Sequence, residues 1–205
     1  MKKYMDKFKK NIYINKNLFI VLLVIVIIGV TSGAIFSIIM DSSDKELVTS
    51  YLNSFFSNLN DNKLDYGGTL TNSLVFTILF AVILWLLGIS IIGFFIVLFL
   101  LFLKSFILGF SLGSIILNLK LKGLLVNLIY VFPHQVINIL IFILISSYAL
   151  IISFKIIDSL FKKKVIDFRN VFNRYLFVLV LSVVVLAITS LYEVYIMPFL
   201  LNLLM

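Results

Sequence analysis

Residues 18–40 read LFIVLLVIVIIGVTSGAIFSIIM, a stretch that contains no charged side chain. A helix needs roughly 20 apolar residues to cross a hydrocarbon core of about 30 Å. In lipid every backbone polar group needs an internal partner, and a continuous apolar run favours a helix over an alternating strand. The stretch therefore predicts a transmembrane α-helix.

The overall composition extends this interpretation to the whole chain. Of its 205 residues 62% are hydrophobic and 13% charged, and the mean hydropathy is +1.20, so polar surface is too scarce to cover a soluble globule. The net charge of +8 lies mostly in short flanks beside apolar runs, which favours membrane orientation over nucleic-acid binding. The absence of cysteine excludes disulfides and thiol catalysis. We expect one helical domain in a lipid bilayer, without a cleaved signal peptide.

Four further apolar runs follow, at 73–103, 105–118, within 123–154, and at 175–196. The run at 73–103, the second in the chain, is too long for one untilted crossing, so we expect it to tilt, to bend near Gly88 or Gly93, or to leave the membrane partway. The third is short, and Lys104 and Lys120 are expected to extend it by snorkelling to opposite interfaces. Pro133 interrupts the fourth run.

The distribution of charge predicts the orientation. Lysine and arginine cluster in the N-terminal tail and just before the last run, whereas the first loop is mainly acidic. An odd number of crossings must then separate the acidic loop from the second basic cluster, and three fit the length. The sequence thus predicts an all-α integral membrane protein with about five transmembrane helices, the N-terminus inside and the C-terminus outside. The predicted segments are a basic cytoplasmic tail (1–17), a first span (18–40), an extracytoplasmic loop (41–72), a region of three spans (73–155), a basic cytoplasmic loop (156–174), and a last span with the C-terminus (175–205).

The first loop contains a pattern typical of an amphipathic helix. Ser43 and Glu46 have the spacing of a capping box, and Tyr66, Gly67 and Gly68 predict a turn back into the membrane. Apolar residues recur between them at helical spacing, namely Leu47, Val48, Tyr51, Leu52, Phe55, Phe56 and Leu59. This face is expected to rest on the outer leaflet or on the protein's own spans, or else to bind a partner.

Two pairs of small residues predict close helix contacts. Gly29 with Gly33, and Gly109 with Gly113, have the GxxxG spacing that lets backbones approach. Packing within one chain is the simpler interpretation, and a homo-oligomer is the alternative.

His134 and Glu193 are the ionisable residues that the sequence places in or near the hydrocarbon, both towards the outer boundary. Gln135 and Asn138 complete a polar face beside His134, and Pro133 is suited to the first position of a helix. These side chains are expected either to form interfacial caps and hydrogen bonds between helices or to serve as a site in assembly. A proton relay would need more ionisable groups.

Enzyme motifs do not appear. A single histidine and no cysteine exclude most zinc sites, and no glycine-rich phosphate loop is present. Ser111, Ser114, Ser146 and Ser147 lie outside any recognisable nucleophile motif. We expect no catalytic residue, no metal and no cofactor.

Several segments together resemble the stage II sporulation protein M family. They are KEL at 45–47, SFF at 54–56, LLGISIIG at 86–93, LFLK at 101–104 with Gly109, Phe110 and Gly113, Pro133-His134, and LYEVY at 191–195 with Pro198. The last two are similar to the family's Pro-His-Gly and Glu-Ala-Tyr motifs. Gln135, Asn138 and Ser105 depart from residues common in the wider family, namely Gly, Glu and Gly.

The resemblance implies a scaffold without chemistry of its own. In that family the protein acts in engulfment, at the sporulation septum and the migrating mother-cell membrane, where it recruits peptidoglycan hydrolases, stage II sporulation proteins D and P. As a hypothesis, the 47–59 helix and the outer ends of the last two spans form the docking surface. The second candidate function is a small transporter or channel subunit. The third is an intramembrane enzyme that depends on His134.

Overall fold

The structure, a computed structural model, describes residues 16–60, 65–162 and 168–202. Within these ranges every regular element is helical, in keeping with the predicted fold class. Eight α-helices are numbered in chain order: α1 Lys16–Ile39, α2 Ser42–Asn60, α3 Tyr66–Leu87, α4 Gly93–Leu119, α5 Leu121–Val126, α6 Phe132–Lys162, α7 Phe168–Leu191 and α8 Met197–Asn202. Two π-helical turns, Asn127–Val131 and Tyr192–Ile196, join α5 to α6 and α7 to α8.

Within the described ranges, five helical stretches are long and apolar enough to cross a membrane, as the sequence predicts. They cover Lys16–Ile39, Tyr66–Leu87, Gly93–Leu119, Phe132–Leu160 and Arg169–Leu200. Their outward surfaces carry many exposed aliphatic and aromatic side chains, which is what a helix surrounded by lipid requires.

The long second run does not form one bent helix. It divides at a turn over residues 88–92, where the amides of Gly88, Ile89 and Ser90 donate to carbonyls of the last turn of α3. A side chain at Gly88 would meet the Tyr175 hydroxyl and the Cα of Ala149, so glycine lets the turn pack against α6 and α7.

The third run is not a separate span, which corrects the sequence-based expectation. Residues 105–118 form the second half of α4, and Lys104 lies in the middle of that helix rather than at an interface. Apolar hydropathy is almost continuous through this region, so a single lysine gave a false boundary.

The second span, α3, also begins earlier than expected. Tyr66, Gly67 and Gly68 form the first turn of α3 rather than a connecting turn, because the Asp65 side chain accepts a hydrogen bond from the Gly68 amide and caps the helix. In α2, Ser43 is the second residue of the helix, so it is not the predicted cap.

Both prolines of the chain follow a π-helical turn at the same spacing. Pro133 comes two residues after the turn Asn127–Val131, and Pro198 two residues after Tyr192–Ile196. Proline lacks an N–H donor, and its ring collides with the carbonyl four residues earlier. A wider π turn relieves that conflict, so the helical path continues through Pro133.

The core lies between the spans. Helix α1 packs most extensively against α4, and α7 packs against both α3 and α6. A second, smaller core joins Phe56 of α2 to Ile115, Val126 and Val131, so α2 is fixed to the last part of α4, to α5 and to the first π-helical turn.

Candidate functional site

His134 and Glu193 form the centre of a polar cluster within the helical bundle. The His134 Nε2 atom lies 3.7 Å from the Glu193 Oε1 atom. His134 is almost fully buried, with a side-chain exposure of 2%, whereas that of Glu193 is 27%. His134 lies at the start of α6, directly after Pro133. Glu193 lies in the second π-helical turn, which precedes Pro198.

Three helices contribute hydrogen bonds to this cluster. The Ser73 hydroxyl of α3 donates to the Glu193 Oε2 atom at 2.8 Å. The Thr189 hydroxyl of α7 donates to the Asn138 Oδ1 atom of α6 at 2.6 Å. His134 and Asn138 are four residues apart, as are Thr189 and Glu193, so each pair lies on one face of its helix. Two polar contacts, one helical turn apart, therefore connect α6 to the end of α7 and the turn that follows it, and Ser73 connects α3 to the same site.

Lys104 adds a positive charge inside the same bundle. Its Nζ atom lies 5.6 Å from the ring centroid of Phe80 and 5.7 Å from that of Phe142, within the range of cation–π contacts. A lysine in a span is costly unless it is paired, so these contacts stabilise its position.

An aromatic pair lies beside the polar cluster. Tyr66, at the start of α3, stacks on Tyr195 of the second π-helical turn, with ring centroids 6.0 Å apart and an angle of 6° between the planes. Tyr195 is two residues from Glu193. Tyrosine is enriched at the membrane interface, where one end of the ring system is apolar and the other wet.

The amphipathic helix α2 divides its predicted apolar face between two environments. Phe56 is buried, and Leu52 and Phe55 are partly buried, against α4 and the α5–α6 junction. Leu47 and Tyr51 are 58% and 75% exposed, respectively. The side chain of Leu59 lies outside the described residues. Of the five predicted partner-binding residues whose side chains are described, Leu47 and Tyr51 are the well-exposed ones.

The four predicted packing glycines all lie in the contact between α1 and α4. A side chain at Gly33 would collide with the backbone of Phe106, and one at Gly109 with the backbone of Val30. Gly29 lies against Ser105, and Gly113 against Ser37. The structure therefore uses both GxxxG pairs within one chain.

The sequence identified His134, Asn138 and Glu193, and the structure brings them together. The sequence did not identify Ser73 or Thr189 as their partners, because a lone hydroxyl in an apolar run commonly forms a hydrogen bond within its own helix. Among the described residues no group of three or more acidic or histidine side chains could hold a metal ion. The cluster holds a histidine beside a carboxylate and neutral hydrogen-bonding groups, an arrangement suited to joining helices.

A family comparison covers nearly all of this architecture. The family model for Stage II sporulation protein M matches residues 19–198, which include all of the polar cluster and both prolines. Searches of the curated proteins and of the solved structures find no match. The resemblance inferred from the sequence motifs is confirmed, and the chain belongs to the stage II sporulation protein M family.

Proposed function

We propose that this protein is the membrane scaffold of a sporulation engulfment complex and that it recruits peptidoglycan hydrolases similar to stage II sporulation proteins D and P. Family membership makes it a sporulation-related protein of the multi-pass membrane class. The proposed location is the sporulation septum and the engulfing mother-cell membrane. In this role the chain positions enzymes and performs no chemistry itself.

The observation that carries the proposal is the family match, which extends from the first span through Pro198. The α2 helix supplies a surface suited to recruitment, since it is fixed to the bundle through Phe56 while Leu47 and Tyr51 remain exposed. Exposed tyrosine and leucine on a rigid helix offer apolar contact at low entropic cost, and tyrosine is enriched among residues that dominate binding energy. The family match gives no support to the transporter alternative.

The recruiting surface is tested by Tyr51→Glu, with Ser57→Glu as the matched control on a different face of α2. Both side chains are exposed, so neither change is expected to disturb insertion. Co-purification of the two hydrolases with the tagged chain from sporulating cells should fall about tenfold for Tyr51→Glu and stay unchanged for Ser57→Glu. Immunoblots of membranes report the amount inserted. Equal recovery by both variants would reject this surface.

The cellular role has a separate test. Deletion of the gene, followed by membrane-dye microscopy of sporulating cells, should arrest development at the septal stage. Normal engulfment in the deletion strain would reject the scaffold function, whatever the result with α2.

A further inference from the structure

A cavity of about 370 Å³ lies between the end of α1, the first half of α2 and the end of α4. This volume falls at the lower end of the range of about 300 to 1,000 Å³ that is typical of small-molecule sites. Its polar lining comes from five side chains, Ser37, Lys45, Thr49, Ser114 and Asn118. The rest of the lining is apolar and includes Ile38 and Leu117.

Two of the polar side chains are available to an occupant. Ser114 is only 6% exposed, and its Oγ atom has no hydrogen-bond partner among the described residues. A buried hydroxyl without a partner is unfavourable, so a ligand that accepts its hydrogen would be stabilised. Lys45 is exposed at the cavity and forms no ion pair within the described part of the chain. It therefore offers an ammonium donor.

The position of the cavity favours a lipid over a soluble ligand. Ile38 and Met40 flank the last residue of α1, and Leu117 and Asn118 lie in the last turn of α4, so the cavity is level with the ends of two spans. Headgroups occupy this depth of a bilayer. Exposed apolar side chains of the same helices, Ile35 and Ile38 on α1 and Leu117 on α4, continue from the cavity along the spans. An occupant with a polar head and apolar tails meets both surfaces.

The charges nearby select the headgroup. The segment around Lys45 also contains Asp41, Asp44 and Glu46, all of them exposed, so its net charge is −2 from one lysine and three acids. A headgroup with only negative charge is repelled by this segment at short range. A zwitterionic headgroup places its phosphate near Lys45 and its amine near the acids.

We propose that this cavity binds the headgroup of a phosphatidylethanolamine lipid from the leaflet on the α2 side of the membrane. The phosphate accepts hydrogen bonds from the Lys45 ammonium and the Ser114 hydroxyl, and the primary amine faces the acidic residues. The acyl chains follow the exposed apolar side chains of α1 and α4. This inference does not depend on the proposed recruitment of hydrolases.

The ligand is identified with the full chain, purified in detergent and stripped of lipid. Binding of short-chain phosphatidylethanolamine, short-chain phosphatidylglycerol and inorganic phosphate is measured by native mass spectrometry or thermophoresis. Phosphatidylethanolamine should bind at least about threefold more tightly than phosphatidylglycerol, because the acidic segment repels the latter. Equal or tighter binding of phosphatidylglycerol overturns the headgroup assignment. Displacement of the lipid by millimolar phosphate would show a free-phosphate site and overturn the lipid assignment.

The site is tested by Lys45→Gln and Ser114→Leu, with Lys122→Gln and Ser111→Leu as matched controls that do not line the cavity. Each cavity variant should weaken phosphatidylethanolamine binding about tenfold, the usual loss for a hydrogen bond to a charged group. The controls should bind as the unchanged chain does. Lys45 is exposed, so Lys45→Gln remains decisive if Ser114→Leu fails to fold. Unchanged binding by Lys45→Gln refutes the site.

Discussion

Trp85 of α3 and Tyr175 of α7 exchange two hydrogen bonds. The Tyr175 hydroxyl donates to the Trp85 carbonyl at 2.6 Å, and the Trp85 indole Nε1 donates to the Tyr175 carbonyl at 3.2 Å. Their rings stack with centroids 5.0 Å apart. Because both side chains are buried, this reciprocal contact fixes α3 to α7 at the end of the bundle opposite to the His134–Glu193 pair.

Removal of the Tyr175 hydroxyl should therefore lower stability. Tyr175→Phe keeps the ring stack but leaves the Trp85 carbonyl without this donor, so we expect the free energy of unfolding to fall by about 1 kcal/mol. Tyr195→Phe is the matched control, because Tyr195 is largely exposed and its aromatic stack is retained. Thermal unfolding in detergent measures both variants, and fluorescence of Trp85, the single tryptophan, reports the local change. Equal melting temperatures would contradict the expected contribution of this hydrogen bond.

The pair His134 and Glu193 should be energetically coupled. Glu193→Ala removes one partner of His134 and the acceptor of the Ser73 hydroxyl, so we expect it to destabilise the fold more than Glu193→Gln, which retains an acceptor for Ser73. A double-mutant cycle with His134→Ala and Glu193→Ala should give a coupling free energy of roughly 0.5 to 3 kcal/mol. Additive effects of the two changes would argue against a direct interaction.

Lys104 should be replaceable by a neutral side chain of similar length but not by an acid. Lys104→Met preserves the contacts with Phe80 and Phe142 without a buried charge, and such replacements are often neutral or stabilising. Lys104→Glu adds a second negative charge to the bundle that already contains Glu193, so it should reduce the yield of folded protein. Lys120→Glu, at the end of α4, is the control. Comparable folded yields for Lys104→Glu and Lys120→Glu, measured by size-exclusion chromatography in detergent, would refute this prediction.

The contact between α1 and α4 predicts an intramolecular cross-link. Because the natural chain has no cysteine, Ser37→Cys combined with Gly113→Cys introduces one isolated pair. A side chain at Gly113 would meet the Ser37 side chain, so cysteines at these two positions lie within reach of each other. Mild oxidation should give a cross-linked monomer on non-reducing gels, whereas Ile38→Cys with Gly113→Cys should not, since Ile38 is largely exposed. A cross-linked dimer from the first pair would instead place these glycines between two chains.

The predicted orientation is tested with single cysteines in intact bacteria. Ser57→Cys on α2 should react with a membrane-impermeant maleimide, since we expect this helix outside. Arg169→Cys, at the exposed start of α7, should react only after permeabilisation. The reverse pattern would place α2 in the cytoplasm and remove it as a surface for wall enzymes.

Predictions from the sequence were wrong at helix boundaries where a polar or turn-forming residue was interpreted as the end of a span. Lys104 suggested the end of a span, yet its ammonium lies over the rings of Phe80 and Phe142 in the middle of α4. The two glycines beside Asp65 suggested a turn, yet the aspartate caps a helix there. In both cases a contact made by the side chain outweighed the local propensity.

The sequence by itself determined that the chain is helical, spans a membrane about five times and belongs to its family. These properties follow from long apolar runs and short motifs, which are local and additive along the chain. Only the tertiary structure decided that Ser73 meets Glu193 across 120 residues, that Phe56 is buried while Tyr51 is exposed, and that α2 covers a cavity lined by Ser114. Such contacts depend on the rotation and depth of each helix, which are set by packing against the other helices and are not encoded in the periodicity of any one run.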